Sequence, residues 1–196
     1  MSDHTLPVIH LVRHGETEWS RTGRHTGRTD LPLTPRGEEN ARRLGDRLRA
    51  LTVARVFTSP LIRAKRTAEL AGFPDAEVDA DLTEWHYGLY EGRTTAEIVA
   101  ARPGWNVFLD GGGPGGETTA DVLARVDRVI ARVREVNADV LLFSSGHLLR
   151  VLAARWVGLD ATAGRLFALS TGAVSQLGYD HDLNEPVIRL WNDAGP

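Results

Sequence analysis

Short apolar runs that each break into a polar loop, and are each followed by a helical stretch, constrain this chain most. Val8 to Val12, "VIHLV", is one such run, and Val53 to Ser59, "VARVFTS", is a second. Val78 to Leu82 reads as a third, shorter strand, and Asp139 to Ser144, "DVLLFS", as a fourth. Between them the spacing turns helical. Thr34-Pro35 reads as an N-cap with proline at the first helical position, ahead of Leu44, Leu48 and Leu51. Leu61 to Ala71 is helical and Gly72 closes it. Thr94 to Arg102, "TTAEIVAAR", is a helix stopped near Pro103. After Glu117, Val122, Val126, Val129, Val133 and Val136 recur at spacings of three and four, which marks a long helix. "LLRVLAARWVGL" is the helix after the fourth strand. "GAVSQLGYD" and "PVIRLWN" alternate as a terminal hairpin around "HDLNE". Strands alternating with helices predict a three-layer α/β/α sandwich around a mainly parallel sheet. With no repeats and no linker, the 196 residues form one domain.

Composition excludes several classes of function. A net charge of -3 gives no electrostatic case for binding nucleic acid or an anionic membrane, so any anion site is local. The chain has no cysteine, which removes disulfides, thiolate catalysis and cysteine-ligated zinc. No histidine spacing matches a metal-binding pattern such as H-E-x-x-H, so neither a metal nor a cofactor is expected. No stretch reaches the roughly 18 to 20 apolar residues that span a bilayer. The start lacks a basic segment followed by an apolar one, so the expected setting is cytoplasmic. A homodimer is compatible with the chain.

Polar residues gather where the strands end. Arg13-His14-Gly15 follows the first, Ser59-Pro60 and Arg63 the second, Glu84 the third, and Ser144 to His147 the fourth. Ligands of such sheets bind beyond the carboxyl ends of the strands. These residue types suit the transfer of a phosphoryl group from a monoester. Arg13 and Arg63 supply planar forks matched to phosphate oxygens. A neutral imidazole, His14, is a nucleophile if one ring nitrogen is held by a carbonyl, and nearby arginines would keep it neutral. A carboxylic acid, Glu84, can protonate the leaving alkoxide.

"LVRHGETEWS" resembles the signature of the histidine phosphatase superfamily, whose fold is called phosphoglycerate-mutase-like. The resemblance continues through "GRHTGRTDLPLTPRGEENARRL", "VFTSPLIRAKRTAEL", "LTEWHYGLYEG", "GGETTADVLARV" and "LLFSSGHLLRVLAARW", nearly the whole chain in the family's order. It implies that His14 is the phosphorylated nucleophile, Glu84 the proton donor, and Arg13 and Arg63 the phosphoryl clamps. It places Gly15, Thr17, Ser20, Thr26 and Gly27 on the substrate side. Trp85 and Tyr87, with Trp19 and Trp105, are candidate walls of a sugar-sized cleft. The branch it is most similar to contains broad-specificity phosphatases and sedoheptulose-bisphosphatase-like enzymes, so the expected ligand is a small phosphorylated metabolite.

Two departures qualify this. Phosphoglycerate mutases carry basic residues after the catalytic glutamate and on a later insertion. Here Trp85 follows Glu84, and between Gly92 and Glu117 only Arg93 and Arg102 are cationic. Weak clamps favour water as acceptor, hence hydrolysis, with a mutase as the alternative. The second departure is at the fourth strand's end. Ser145, before Gly146, stands where the family has a pocket histidine, and His147 lies two positions later. Either His147 reaches into the pocket, or Ser145 donates a weaker hydrogen bond there and His147 lines the cleft. The second needs no change in the turn and is preferred, while a degenerate phosphate-binding homologue is the reading outside enzymes. "GGGPGGET", Gly111 to Thr118, has Glu117 where a P-loop needs lysine, and is expected to be a flexible loop over the site.

Overall fold

The computed structural model describes residues 6–195. Six strands form one sheet: β1 (Ile9–Arg13), β2 (Arg55–Thr58), β3 (Glu77–Val78), β4 (Val140–Ser144), β5 (Val174–Tyr179) and β6 (Pro186–Asp193). Their order is β3-β2-β4-β1-β5-β6. The first four in that order run parallel, and the terminal hairpin adds β5 and β6 antiparallel.

Period-two alternation sends each strand's side chains to two cores. Ile9, Leu11, Val140 and Leu142 pack with Val122, Val126 and Val129 of the long helix and with Leu148 and Leu152. Val12, Leu141 and Phe143 face the other way, onto Leu44, Leu48 and Ala68. The helices are α1 (Glu18–Arg21), α2 (Pro35–Leu48), α3 (Ile62–Leu70), α4 (Thr95–Ala101), α5 (Val107–Asp110), α6 (Thr119–Val136) and α7 (Gly146–Trp156). Thus α6 and α7 cover one face, and α2 and α3 the other. Four helices start at threonine caps, as side-chain-to-backbone chemistry favours: Thr34 accepts from the Gly37 N–H, and Thr17, Thr94 and Thr118 build capping boxes.

One expected element is different. The third strand is only Glu77–Val78, and Ala80 to Leu82 form a 3₁₀ turn. The Asp79 carboxylate accepts from the Asp81 N–H, and Arg128 and Arg132 of α6 pair with Asp81 and Asp79. Those charges bend the segment out of the sheet. Glu84 therefore follows a turn rather than a strand end.

The topology fixes where a ligand can enter. Adjacent β1 and β4 are parallel, with Arg13 level with Ser144. From β1 the chain continues over the α2–α3 face to β2, beyond β4. From β4 it continues through α7 on the opposite face to β5, beyond β1. The two connections part at the carboxyl ends of these strands and leave a crevice there, the switch point of a doubly wound sheet.

Candidate active site

His14 is the first residue past β1. Its backbone N–H donates to the Ser144 carbonyl of β4 (2.9 Å), so the ring stands at the crevice. Its Nδ1 lies 2.8 Å from the Gly15 carbonyl. A carbonyl only accepts, so Nδ1 carries the proton and Nε2 keeps its lone pair. The turn is braced from behind: the Gly15 N–H donates to Thr67 Oγ1, which donates to the Arg63 carbonyl. Gly15 also lies flat against α2, since a Cβ there would stand 2.7 Å from the Gly37 carbonyl oxygen. Burial first, then the charges of Arg63 and Arg13, hold the His14 ring well below the ordinary imidazole range. The arginines were the expected cause; burial is the larger one.

Both arginines are fixed by backbone carbonyls. Arg13 Nη1 donates to Leu169 (2.5 Å), and its guanidinium lies on Gly146, where a Cβ would sit 3.1 Å from Nε. Arg63 is fully buried and donates to the carbonyls of Thr29, Thr26 and Gly27. In each, Nε is buried and has no hydrogen-bond partner among the described residues. Ser145 Oγ shares that condition. Ser145 is the N-cap residue of α7, yet its side chain caps nothing.

The free N–H groups of α7 are met by Glu84 instead. Oε1 accepts from Leu148 N (2.9 Å) and from Trp85 N (2.9 Å), and Oε2 accepts from His147 N (3.0 Å). The carboxylate thus sits on the positive end of the helix. Beside it, the Tyr87 O–H lies 2.5 Å from His147 Nδ1. Burial, then Arg150, His25 and Arg13, keep His147 well below the ordinary imidazole range, while burial raises Tyr87. A neutral ring that accepts at Nδ1 carries its proton on Nε2.

A cavity of about 210 Å³ opens here. Of the residues anticipated from the sequence, Arg13, His14, Ser20, Thr26, Glu84, Tyr87, Gly146 and His147 line it. Arg63, Ser145, Gly15, Gly27, Thr17 and Trp85 are not among the residues that line it. The Thr17 side chain is spent on the cap of α1, accepting from the Ser20 N–H. Trp85 is buried, with its indole N–H donating to the Glu117 carbonyl. Trp19 and Trp105 do not line the cavity either.

The glycine-rich loop is not a lid. Gly113 N donates to the Tyr87 carbonyl, Leu89 N to Pro114, and Glu117 N to His86, while Glu117 pairs with Arg125. These bonds pin the loop behind the Tyr87 segment, and none of its residues lines the cavity.

Sequence reasoning missed Gly23, Arg24, His25, Thr95, Arg150 and Leu169, which also line it. Two signals were present. Arg24-His25 repeats the Arg13-His14 pairing, and Arg150 lies three residues after His147, hence on the same helix face. The His25 ring stacks on His147 with 5.8 Å between centroids, and burial lowers its pKa to about 4. Arg24 and Arg150 bring cations to the cavity from outside the 92–117 segment, within which Arg102 is tied to Asp110.

The profile of the histidine phosphatase superfamily (branch 1) matches residues 9–194. The chain belongs to this superfamily. It is 41% identical over 182 residues to an acid phosphatase of Mycobacterium tuberculosis, covering 91% of this chain and 89% of that one. It is 39% identical to the sedoheptulose 1,7-bisphosphatase of Saccharomyces cerevisiae, covering 97% and 93%. The solved structure of a Mycobacterium tuberculosis open reading frame product superposes with a TM-score of 0.91 at 38% identity, covering 95% and 97%. The chain is therefore a phosphatase of the histidine phosphatase superfamily, with its α/β fold. No helix among the described residues is long and apolar enough to cross a membrane.

Proposed function

We propose that the chain hydrolyses a small phosphorylated metabolite, a sugar phosphate by class, through a phosphohistidine on His14. The observation that carries this reading is the His14 ring. It is buried and neutral, tied at Nδ1 to a carbonyl, and stands among buried donors that lack protein partners. Unpaired buried donors are costly, and a phosphoryl group would satisfy them. The names of the two curated relatives, an acid phosphatase and a sugar bisphosphatase, support the substrate class.

In the first step His14 Nε2 attacks phosphorus and the P–O bond to the substrate breaks. The leaving alkoxide takes a proton from the Glu84 carboxyl, which the N-terminus of α7 holds beside the ring. Water then attacks the phosphohistidine, Glu84 takes its proton, and inorganic phosphate leaves. Arg13 and Arg63 hold the three equatorial oxygens, and no step requires a metal.

The test is a rapid quench into alkaline denaturant with a radiolabelled donor. Label is expected on His14, stable to base and lost in acid, with phosphate released. Label returned to an isomer would mark a mutase. Turnover with no labelled protein would overturn the phosphohistidine route, and phosphate binding without label or turnover would mark a degenerate site.

A further inference from the structure

The two arginines beside His14 are secured unequally. The Arg63 guanidinium donates to three backbone carbonyls, those of Thr29, Thr26 and Gly27. Among the described residues the Arg13 guanidinium makes one hydrogen bond, from Nη1 to the Leu169 carbonyl (2.5 Å), and its buried Nε makes none. Whatever orients that carbonyl therefore orients Arg13.

The Leu169 carbonyl and the Ser170 N–H are the two ends of one peptide unit. The unit is planar, so fixing one end fixes the other. The Ser170 N–H donates to Asn192 Oδ1 (2.7 Å), and Asn192 belongs to β6. The strand is irregular at this point. Val174 pairs with Asp193 and Gln176 with Leu190, so β6 carries one extra residue there, a bulge. Within it Asn192 takes a left-handed backbone, φ 58°, which asparagine tolerates better than most residues. Its own N–H donates to Ser175 Oγ (3.0 Å), so the backbone is held while the side chain reaches Ser170. Trp191 holds the preceding peptide, its indole N–H donating to the Ala168 carbonyl (2.6 Å). The other side of the same turn meets β1, where the Gly172 N–H reaches the carbonyls of Arg13 and His14 (3.1 Å each). Hydrogen bonds at both ends of the Leu169–Ser170 peptide also polarise it, and each strengthens the other. Without the Asn192 acceptor the peptide is free to rotate and to carry its carbonyl away from Arg13.

We infer that Asn192 is a positioning residue for the phosphoryl site: the bulge in β6 aims it, and through the Leu169–Ser170 peptide it sets the Arg13 guanidinium. The inference rests on the proposed role of Arg13 as a phosphoryl clamp.

The test is a double-mutant cycle between Asn192 and Arg13. Asn192→Gly keeps the left-handed backbone and removes the acceptor, whereas Asn192→Asp keeps the acceptor. Asn192→Gly should lower kcat/KM for p-nitrophenyl phosphate about tenfold and weaken the calorimetric binding of inorganic phosphate, because a displaced clamp loses alignment. Asn192→Asp should recover most of that loss. In an Arg13→Gln background, Asn192→Gly should change either quantity by no more than about twofold, since its route to the phosphoryl group is gone. Equal losses in both backgrounds would mark a merely structural residue and overturn the inference, as would full affinity and turnover in Asn192→Gly. A measurement on the unaltered protein covers a variant that does not fold. By linkage, saturating inorganic phosphate should slow hydrogen exchange at the Ser170 amide at least about threefold. Unchanged exchange overturns the inference. A coupled cycle in a protein that forms no phosphohistidine leaves the positioning role standing and removes only that route. Wild-type phosphate affinity in Arg13→Gln removes the clamp, and the inference with it.

Discussion

β1 and β4 lie side by side, parallel and level, and end in opposite ways. After β1 the chain enters an extended turn, and the His14 side chain is committed inward, with Nδ1 on the Gly15 carbonyl and only Nε2 free. After β4 the chain enters α7 at once. There the backbone is what is committed, the N–H groups of His147 and Leu148 going to Glu84, while the Ser145 side chain has no partner among the described residues. On the mechanism proposed above, the first end prepares a nucleophile, and the second a proton and a donor. How each strand is continued decides which kind of group, side chain or backbone, it offers to the crevice.

The comparison breaks most visibly at the β1 end. His14→Ala should lower kcat at least about a thousandfold, since no other side chain supplies the attacking pair. The fold should survive, because the turn keeps its Gly15–Thr67 and Gly15–Gly37 supports. Activity above a tenth of wild type would sink the mechanism. The same ring sets the acid limb. A histidine with a depressed pKa is the free base down to that pKa, so kcat/KM should persist as pH falls well below 6.5. An acid limb at the ordinary imidazole pKa would assign it to another group.

At the β4 end, Glu84→Gln should cost roughly a hundredfold on an alkyl phosphate but only about tenfold on p-nitrophenyl phosphate, whose leaving group hardly needs a proton. The ratio is the readout, because an amide cannot accept from all three backbone N–H groups that Glu84 now satisfies. Equal losses would count against Glu84 as the acid.

His147→Ala should cost less, about tenfold, since a neutral ring offers the substrate a single uncharged N–H. Measured beside His14→Ala, it decides how the β4 end is used. A loss as deep as that of His14→Ala would mean that the second catalytic histidine has moved two positions along the chain.

The alternation of strands and helices, the cap at Thr34 and the gathering of His14, Arg13 and Glu84 were all legible in the sequence, because each is written in local spacing or in a contiguous motif. The bend after β3 was not. Val78 to Leu82 alternates apolar and acidic residues as a strand would, and arginines about fifty residues away on α6 turn it aside. The glycine-rich loop misled for a related reason. Glycine content suggests mobility, but the bonds that pin this loop come from Tyr87, His86 and Arg125. Arg24 and Arg150 were hidden because arginine is abundant here, and only their place in the lining of the cavity sets them apart. Tertiary partners supplied what single-chain pattern could not.

The finest test concerns Ser145, and it moves stability and activity in opposite directions. The hydroxyl is fully buried and without a partner among the described residues, a condition that costs about 1–3 kcal/mol when a buried polar group goes unsatisfied. Ser145→Ala removes the group rather than its partner and leaves almost the same shape. The ligand-free variant should therefore melt higher, by about 2–4 °C for each kcal/mol relieved in a domain of this size. If the hydroxyl donates to the phosphoryl group, the variant should also lose roughly two- to tenfold in kcat/KM, the worth of one neutral hydrogen bond. Inorganic phosphate should then raise the melting point of the wild type more than that of the variant, because binding stabilises in proportion to affinity. A Ser145→Ala protein that melts no higher and turns over at the wild-type rate would place the hydroxyl outside the pocket. The donors from the β4 end would then be those of α7 alone.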